Sequence, residues 1–101
     1  MNFFVIGDED TLLGFSLVGV PGKAVSTVEE AQEAFRQVVS EQSAKIVVMT
    51  ERIAEMIRPE VQRQILRITF PLVVEIPDRR GPLPDKKPVS ELITEAIGIK
   101  I

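Results

Sequence analysis

A chain of 101 residues has room for one domain, hiding roughly 65% of its unfolded surface at this size. Its 15 acidic and 12 basic residues leave a formal charge of -3 with the basic ones scattered, which argues against a nucleic-acid partner. The absence of Cys and His excludes disulfides, thiolate nucleophiles, the usual zinc sites and His-based proton transfer.

Residues 3–6, the apolar run Phe3-Phe4-Val5-Ile6, suit a strand covered on both faces, as in a parallel sheet with helices on either side. Gly7 ends it, and Asp8, Glu9 and Asp10 follow. Either aspartate can accept from the first backbone N–H groups of a helix, and the carboxylates favour its positive end. That helix carries Leu12, Leu13, Phe15, Leu17 and Val18, and Gly19, Pro21 and Gly22 stop it. Residues 23–25 are a short second strand. Thr27 with Glu30, and equally Ser26 with Glu29, fit a capping box at the start of the next helix. Val28, Ala31, Ala34, Phe35, Val38 and Val39 then share one face, opposite Glu29, Glu33, Arg36 and Gln37.

Residues 45–49, Lys-Ile-Val-Val-Met, form a third strand without polar alternation, expected to be central. Thr50 can cap a helix with Ile53, Ala54 and Ile57 inward. Pro59 interrupts that helix and opens a second piece bearing Val61, Ile65, Leu66 and Ile68. Residues 71–76 are a fourth strand, whose leading proline suits a strand start or sheet edge, and Pro77 closes it. Residues 78–88 hold three prolines, Gly81, Arg79, Arg80, Lys86 and Lys87 against Asp78 and Asp85, the composition of a semi-rigid linker. Beyond it Val89, Leu92, Ile93, Ala96 and Ile97 repeat at helical spacing, and Gly98 occupies a C-cap position.

These elements predict an α/β fold: a small four-stranded parallel sheet flanked by helices, Rossmann-like or receiver-like, with a tethered C-terminal helix. The expected division is 1–77 for the α/β domain, 78–88 for the proline-rich linker and 89–101 for the amphipathic helix and tail. No apolar run reaches the roughly 18–20 residues of a membrane span, and no signal-type segment opens the chain, so a soluble cytosolic protein is expected.

Asp8, Glu9 and Asp10 could hold a divalent cation, as in receiver domains of two-component signalling. Here, however, the third strand ends in Met49-Thr50-Glu51 without a phosphoaccepting aspartate, and no fifth strand supplies a lysine. Neither G-x-G-x-x-G nor G-x-x-x-x-G-K-[ST] occurs. Glu75 is expected at the exposed end of its strand, without a partner to make it catalytic. Arg79, Arg80, Lys86 and Lys87 suit a solubilising linker or a patch for an acidic partner. No catalytic residue, metal or cofactor is expected. The final helix, at nine or ten residues, is too short to persist alone in water, so its stripe must be buried against its own sheet or another protein.

Gly7-Asp8-Glu9-Asp10-Thr11, Gly14-Phe15, Leu17 and Gly19-Val20 resemble the opening of the F subunit of the V-type and archaeal-type rotary ATPases. Glu75-Ile76-Pro77 and Glu95-Ala96-Ile97-Gly98-Ile99 continue the resemblance in the same order. It implies a non-catalytic central-stalk component, bound to the coiled-coil D subunit of the stalk and turning inside the catalytic head. It further implies a C-terminal segment that reaches toward the nucleotide-binding subunits and influences ATP hydrolysis. The candidate partner-binding residues are Val89, Leu92, Ile93, Ala96, Ile97, Arg79, Arg80, Asp8 and Asp10. Such a component has no cofactor, nucleic acid or direct membrane insertion, and sits on the cytoplasmic face through its complex. The alternative class is a stand-alone receiver-like signalling domain lacking the phosphoacceptor.

Overall fold

The computed structural model describes residues 2–42, 44–78 and 81. Eight elements follow in order: β1 (Phe3–Gly7), α1 (Glu9–Ser16), β2 (Gly22–Ala24), α2 (Val28–Glu41), β3 (Ile46–Thr50), α3 (Glu51–Met56), α4 (Arg58–Arg67) and β4 (Leu72–Ile76). The strands make one sheet in the order β2-β1-β3-β4, every neighbouring pair parallel. This is the expected α/β architecture, with β3 in the interior and the proline-led β4 on an edge. Most of the expected linker, and all of residues 89–101, lie outside the described residues.

Parallel pairing puts Val5 opposite Val48 and Val48 opposite Val74, while Phe4 stands opposite Val47 and Val47 opposite Val73. Successive side chains point to opposite faces, so these two rows mark the two sides of the sheet. On the Phe4 side, Ile6, Val47 and Met49 join Phe35 and Val38 of α2, Ile53 and Ala54 of α3, and Val61 of α4 in a buried core. On the Val5 side, α1 packs over β1 and β2. The sidedness follows from chirality, because right-handed connections running one way across a sheet lie on one face and those running back lie on the other. β2 can lie close to β1 because it begins at a glycine: a Cβ on Gly22 would sit 2.5 Å from the Val5 carbonyl oxygen.

The second helix starts as expected from Thr27, the Ser26–Glu29 alternative not being used. Thr27 Oγ1 accepts from the Glu30 N–H at 3.1 Å, and Glu30 Oε1 accepts in return from the N–H groups of Thr27 and Ser26. Thr50 likewise caps α3 by accepting from the Ile53 N–H at 3.3 Å. Pro59 lies in the first turn of α4, where its missing N–H would have had no partner in the helix.

Four expectations are corrected. The short second strand is Gly22–Ala24 instead of 23–25, and the third and fourth run Ile46–Thr50 and Leu72–Ile76, one residue later at their starts. The apolar residues of α1 do not form a buried face: the helix has no buried residue, and Leu13, Leu17 and Val18 are exposed. In α4 the inward positions are Val61 and Gln64, while Ile65, Leu66 and Ile68 stay exposed. Gln64 is satisfied in its buried place by donating from Nε2 to the carbonyls of Thr69 (3.3 Å) and Pro71 (3.0 Å), tying the end of α4 to the entry of β4. Glu75, finally, is not at an exposed end, because its side chain is 15% exposed and is held by an arginine.

Candidate functional site

The acidic turn is built as a helix start. Asp8 occupies the N-cap of α1 in extended conformation, without the regular side-chain cap hydrogen bond expected of it. Its carboxylate accepts from the Thr11 hydroxyl. Burial raises the Asp8 carboxyl pKa, but the Thr11 hydroxyl and nearby backbone N–H groups outweigh it and hold the group below its ordinary value. Asp10 lies in the first turn of α1 and is exposed. Among the described residues no group of three or more His, Cys, Asp or Glu could hold a metal. Where a receiver domain carries its acceptor, at the end of β3, stands the buried Thr50, already engaged as the cap of α3.

The surface that stands out is apolar. Val5 and Val48 are buried on the α1 side of the sheet, yet Val74, which continues their row on β4, and Leu72, two residues earlier on the same face, are 45% and 49% exposed. The reason is geometric: α1 packs over β1 and β2, so it shelters the opposite half of the sheet from the half that β4 forms. Half-exposed Phe70, just before β4, extends the strip, and Leu13, Leu17 and Val18 add apolar surface on α1. Aliphatic groups left in water at this density mark a face built to be covered.

At the far end of β4, two ion pairs anchor the point where the expected linker departs. Arg58 grips both oxygens of Glu75, at 2.7 and 2.9 Å, and also donates to Glu55 at 2.7 Å. The Glu75 bond above all, against the opposing effect of burial and with help from Glu55, drives the Arg58 guanidinium even further into its charged form. Arg52 donates to Asp78 at 2.9 Å, and the Gly81 N–H closes a turn onto the Asp78 carbonyl. Gly81 has φ of 89°, a left-handed conformation that favours glycine. The site is therefore a platform: a half-covered sheet whose open edge strand is tied at Glu75 and Asp78 by two arginines.

The model of the ATP synthase (F/14-kDa) subunit family matches residues 3–93. This chain belongs to that family. It is 36% identical to the F subunit of the A-type ATP synthase of Methanocaldococcus jannaschii over 100% of this chain and 99% of that protein. It is also 34% identical to the F subunit of the A-type ATP synthase of Methanothermobacter thermautotrophicus, over 99% and 95% of the two chains. The solved F subunit of the V-type ATP synthase of Archaeoglobus fulgidus superposes with a TM-score of 0.66 at 26% identity, covering 74% of this chain and 95% of that one. The resemblance read from the residues, and the α/β fold expected with it, are thus borne out. No helix among the described residues is long and apolar enough to cross a membrane.

Of the candidate partner-binding residues, Asp8 and Asp10 sit together at the start of α1. Arg79, Arg80, Val89, Leu92, Ile93, Ala96 and Ile97 lie outside the described residues. What residue patterns missed is the exposed row of Leu72 and Val74 and the two arginine clamps. No local signal could have found them, because Arg58 and Glu75 meet only after α4 folds back beside β4.

Proposed function

We propose that this chain, as the F subunit of its ATP synthase, is a non-catalytic part of the rotating central stalk, binding the stalk's D subunit and coupling or regulating ATP turnover during ion translocation. The observation that carries the reading is the family match over residues 3–93, which runs past the sheet and into the first residues of the apolar stripe at 89–97. The platform supports it in kind: its acidic turn is occupied by helix-start bonding, and its apolar strip suits a protein partner. Nucleotide chemistry belongs to the catalytic head, and this protein sits on the cytoplasmic face of the membrane through its complex. The stripe has two places to be buried: against the exposed half of its own sheet, or along the stalk and head. Exchange between the two is the regulatory reading of the 78–88 linker.

The test is Leu92→Asp with Ile93→Asp in the full chain, co-expressed with the D subunit and the head. Residues 1–77 should keep their cooperative melt, because the described core already joins all three interior helices to the sheet, from Ile6 to Val61. Affinity for the complex should fall, or its ATP hydrolysis rate or coupling should change, because a carboxylate buried without a partner costs several kcal/mol. Unchanged affinity, hydrolysis and coupling would sink the proposal.

A further inference from the structure

A second surface lies on the opposite side of the sheet from the apolar strip. Helices α2 and α4 leave between them a groove of about 470 Å³ with Phe35 and Val39 toward its floor and Arg36, Arg63 and Arg67 among its walls. Gln32 Nε2 of α2 donates to Glu60 Oε1 of α4 at 3.2 Å, which bridges the two helices. Glu60 is its one acidic residue among the described residues, so the lining carries three positive charges against one negative on a chain whose net charge is -3.

The ion pairs of the described residues make the imbalance specific. Arg36 is paired with Glu33, Arg52 with Asp78, and Arg58 with Glu55 and Glu75. Arg63 and Arg67 alone of the described arginines make no ion pair among the described residues. Both line this groove. They stand four residues apart on α4, a spacing that brings their side chains to one helix face as neighbours. The last turn of a helix favours a cation at Arg67, but Arg63 lies a full turn earlier and gains little from it. Two adjacent guanidinium forks repel each other, and each presents the planar donor array that a carboxylate accepts in bidentate fashion.

We infer that the α2–α4 groove docks an acidic, amphipathic segment of a neighbouring protein of the assembly, whose carboxylates pair with Arg63 and Arg67 while an apolar side chain rests on the partly exposed Val39. The inference rests on the reading of this chain as a working part of an assembly, and it adds a contact separate from the apolar strip. A polyphosphate backbone is the poorer occupant, because a groove with an excess of two positive charges on a net-acidic domain neutralises too few phosphates to hold one. Charge pairs at such a rim act chiefly on the association rate and on specificity.

The experiment places a photo-crosslinking amino acid at Ser40, an exposed residue of the groove lining, and purifies the assembled complex through a tag on the catalytic head. Illumination should join Ser40's position to a segment of another chain of the complex rich in Asp and Glu, mapped by mass spectrometry. Arg63→Gln with Arg67→Gln should lower the crosslink yield and weaken association by roughly tenfold in dilute buffer, and by less at high salt where such pairs are screened. Both positions are exposed, so a thermal melt close to that of the parent chain will show that folding is intact. Co-purification with a crosslink to a non-acidic segment, to the chain's own residues 82–101, to nucleic acid, or to nothing would overturn the groove while leaving the stalk reading standing. Failure of the unmodified chain to co-purify would overturn both.

Discussion

The two faces of the sheet are built from the same strands and meet opposite fates. On one, α2, α3 and α4 close over Ile6, Val47 and Met49, none of which retains any exposure. On the other, α1 shelters Val5 and Val48, while Leu72 and Val74 on the same face of β4 stay about half exposed. Composition does not distinguish the faces, since β4 contributes apolar residues to both. The difference comes from the number of described helices that pass over each side: one on the α1 face and three on the other. A face closed by its own chain supplies stability, whereas a half-covered face supplies binding surface with little loss to the fold.

The largest expected effect tests the closed face. Met49→Ala empties a fully buried site between β3 and the helices, and should lower unfolding stability by about 2–5 kcal/mol in a denaturant titration. A loss below about 1 kcal/mol would mean that this core can collapse around the gap and is less closed than its packing indicates.

A middle-sized effect concerns how α2, the longest helix of that closed face, is started. Thr27→Ala removes the acceptor for the Glu30 N–H and should cost about 1 kcal/mol. The reciprocal half of the box gives a pH signature. Bonds from the Ser26 N–H and hydroxyl, with a further one from Thr27, hold the Glu30 carboxyl below its ordinary value of 4.5. A carboxyl lowered in the folded state stabilises fully above its unfolded value, and its contribution disappears as pH falls through the lower folded value. Stability should therefore decline in acid below about pH 4.5, and Glu30→Gln should make that decline shallower. Identical acid profiles for the two proteins would remove the capping box from the account.

The smallest effect belongs to the half-covered face. Leu72→Thr with Val74→Thr keeps strand-compatible side chains and should change the stability of the isolated chain by about 0.5 kcal/mol or less. The same double variant should weaken association with the stalk. A loss as large as that of Met49→Ala would show that the chain itself buries these residues.

Much of this architecture was legible residue by residue. The runs at 3–6, 45–49 and 71–76 announced strands, to within a residue of their starts, because continuous apolar residues suit a sheet covered on both sides, and Thr27, Thr50 and Pro59 marked helix starts through chemistry local to one turn. The helical spacing in α1 and α4 misled, because periodicity reports which residues share a face and not what that face meets. Leu17 and Ile68 are as apolar as Ile57, but Ile57 faces three helices' worth of core and they face water. Gln64, a polar residue that helical spacing alone did not single out, is inside, where its Nε2 donates to two carbonyls at the β4 entry.

The sequence by itself determined the order of the eight described elements, the chemistry that is missing without Cys or His, and the family, since all of these depend on residue identity and short spacings. Tertiary structure alone decided which strands became neighbours, which half of the sheet was left open, and which arginines kept no acid partner among the described residues. Those outcomes depend on groups far apart in the chain, such as Arg58 and Glu75 at 17 residues' separation, whose meeting is set by right-handed connections and packing and by no local preference.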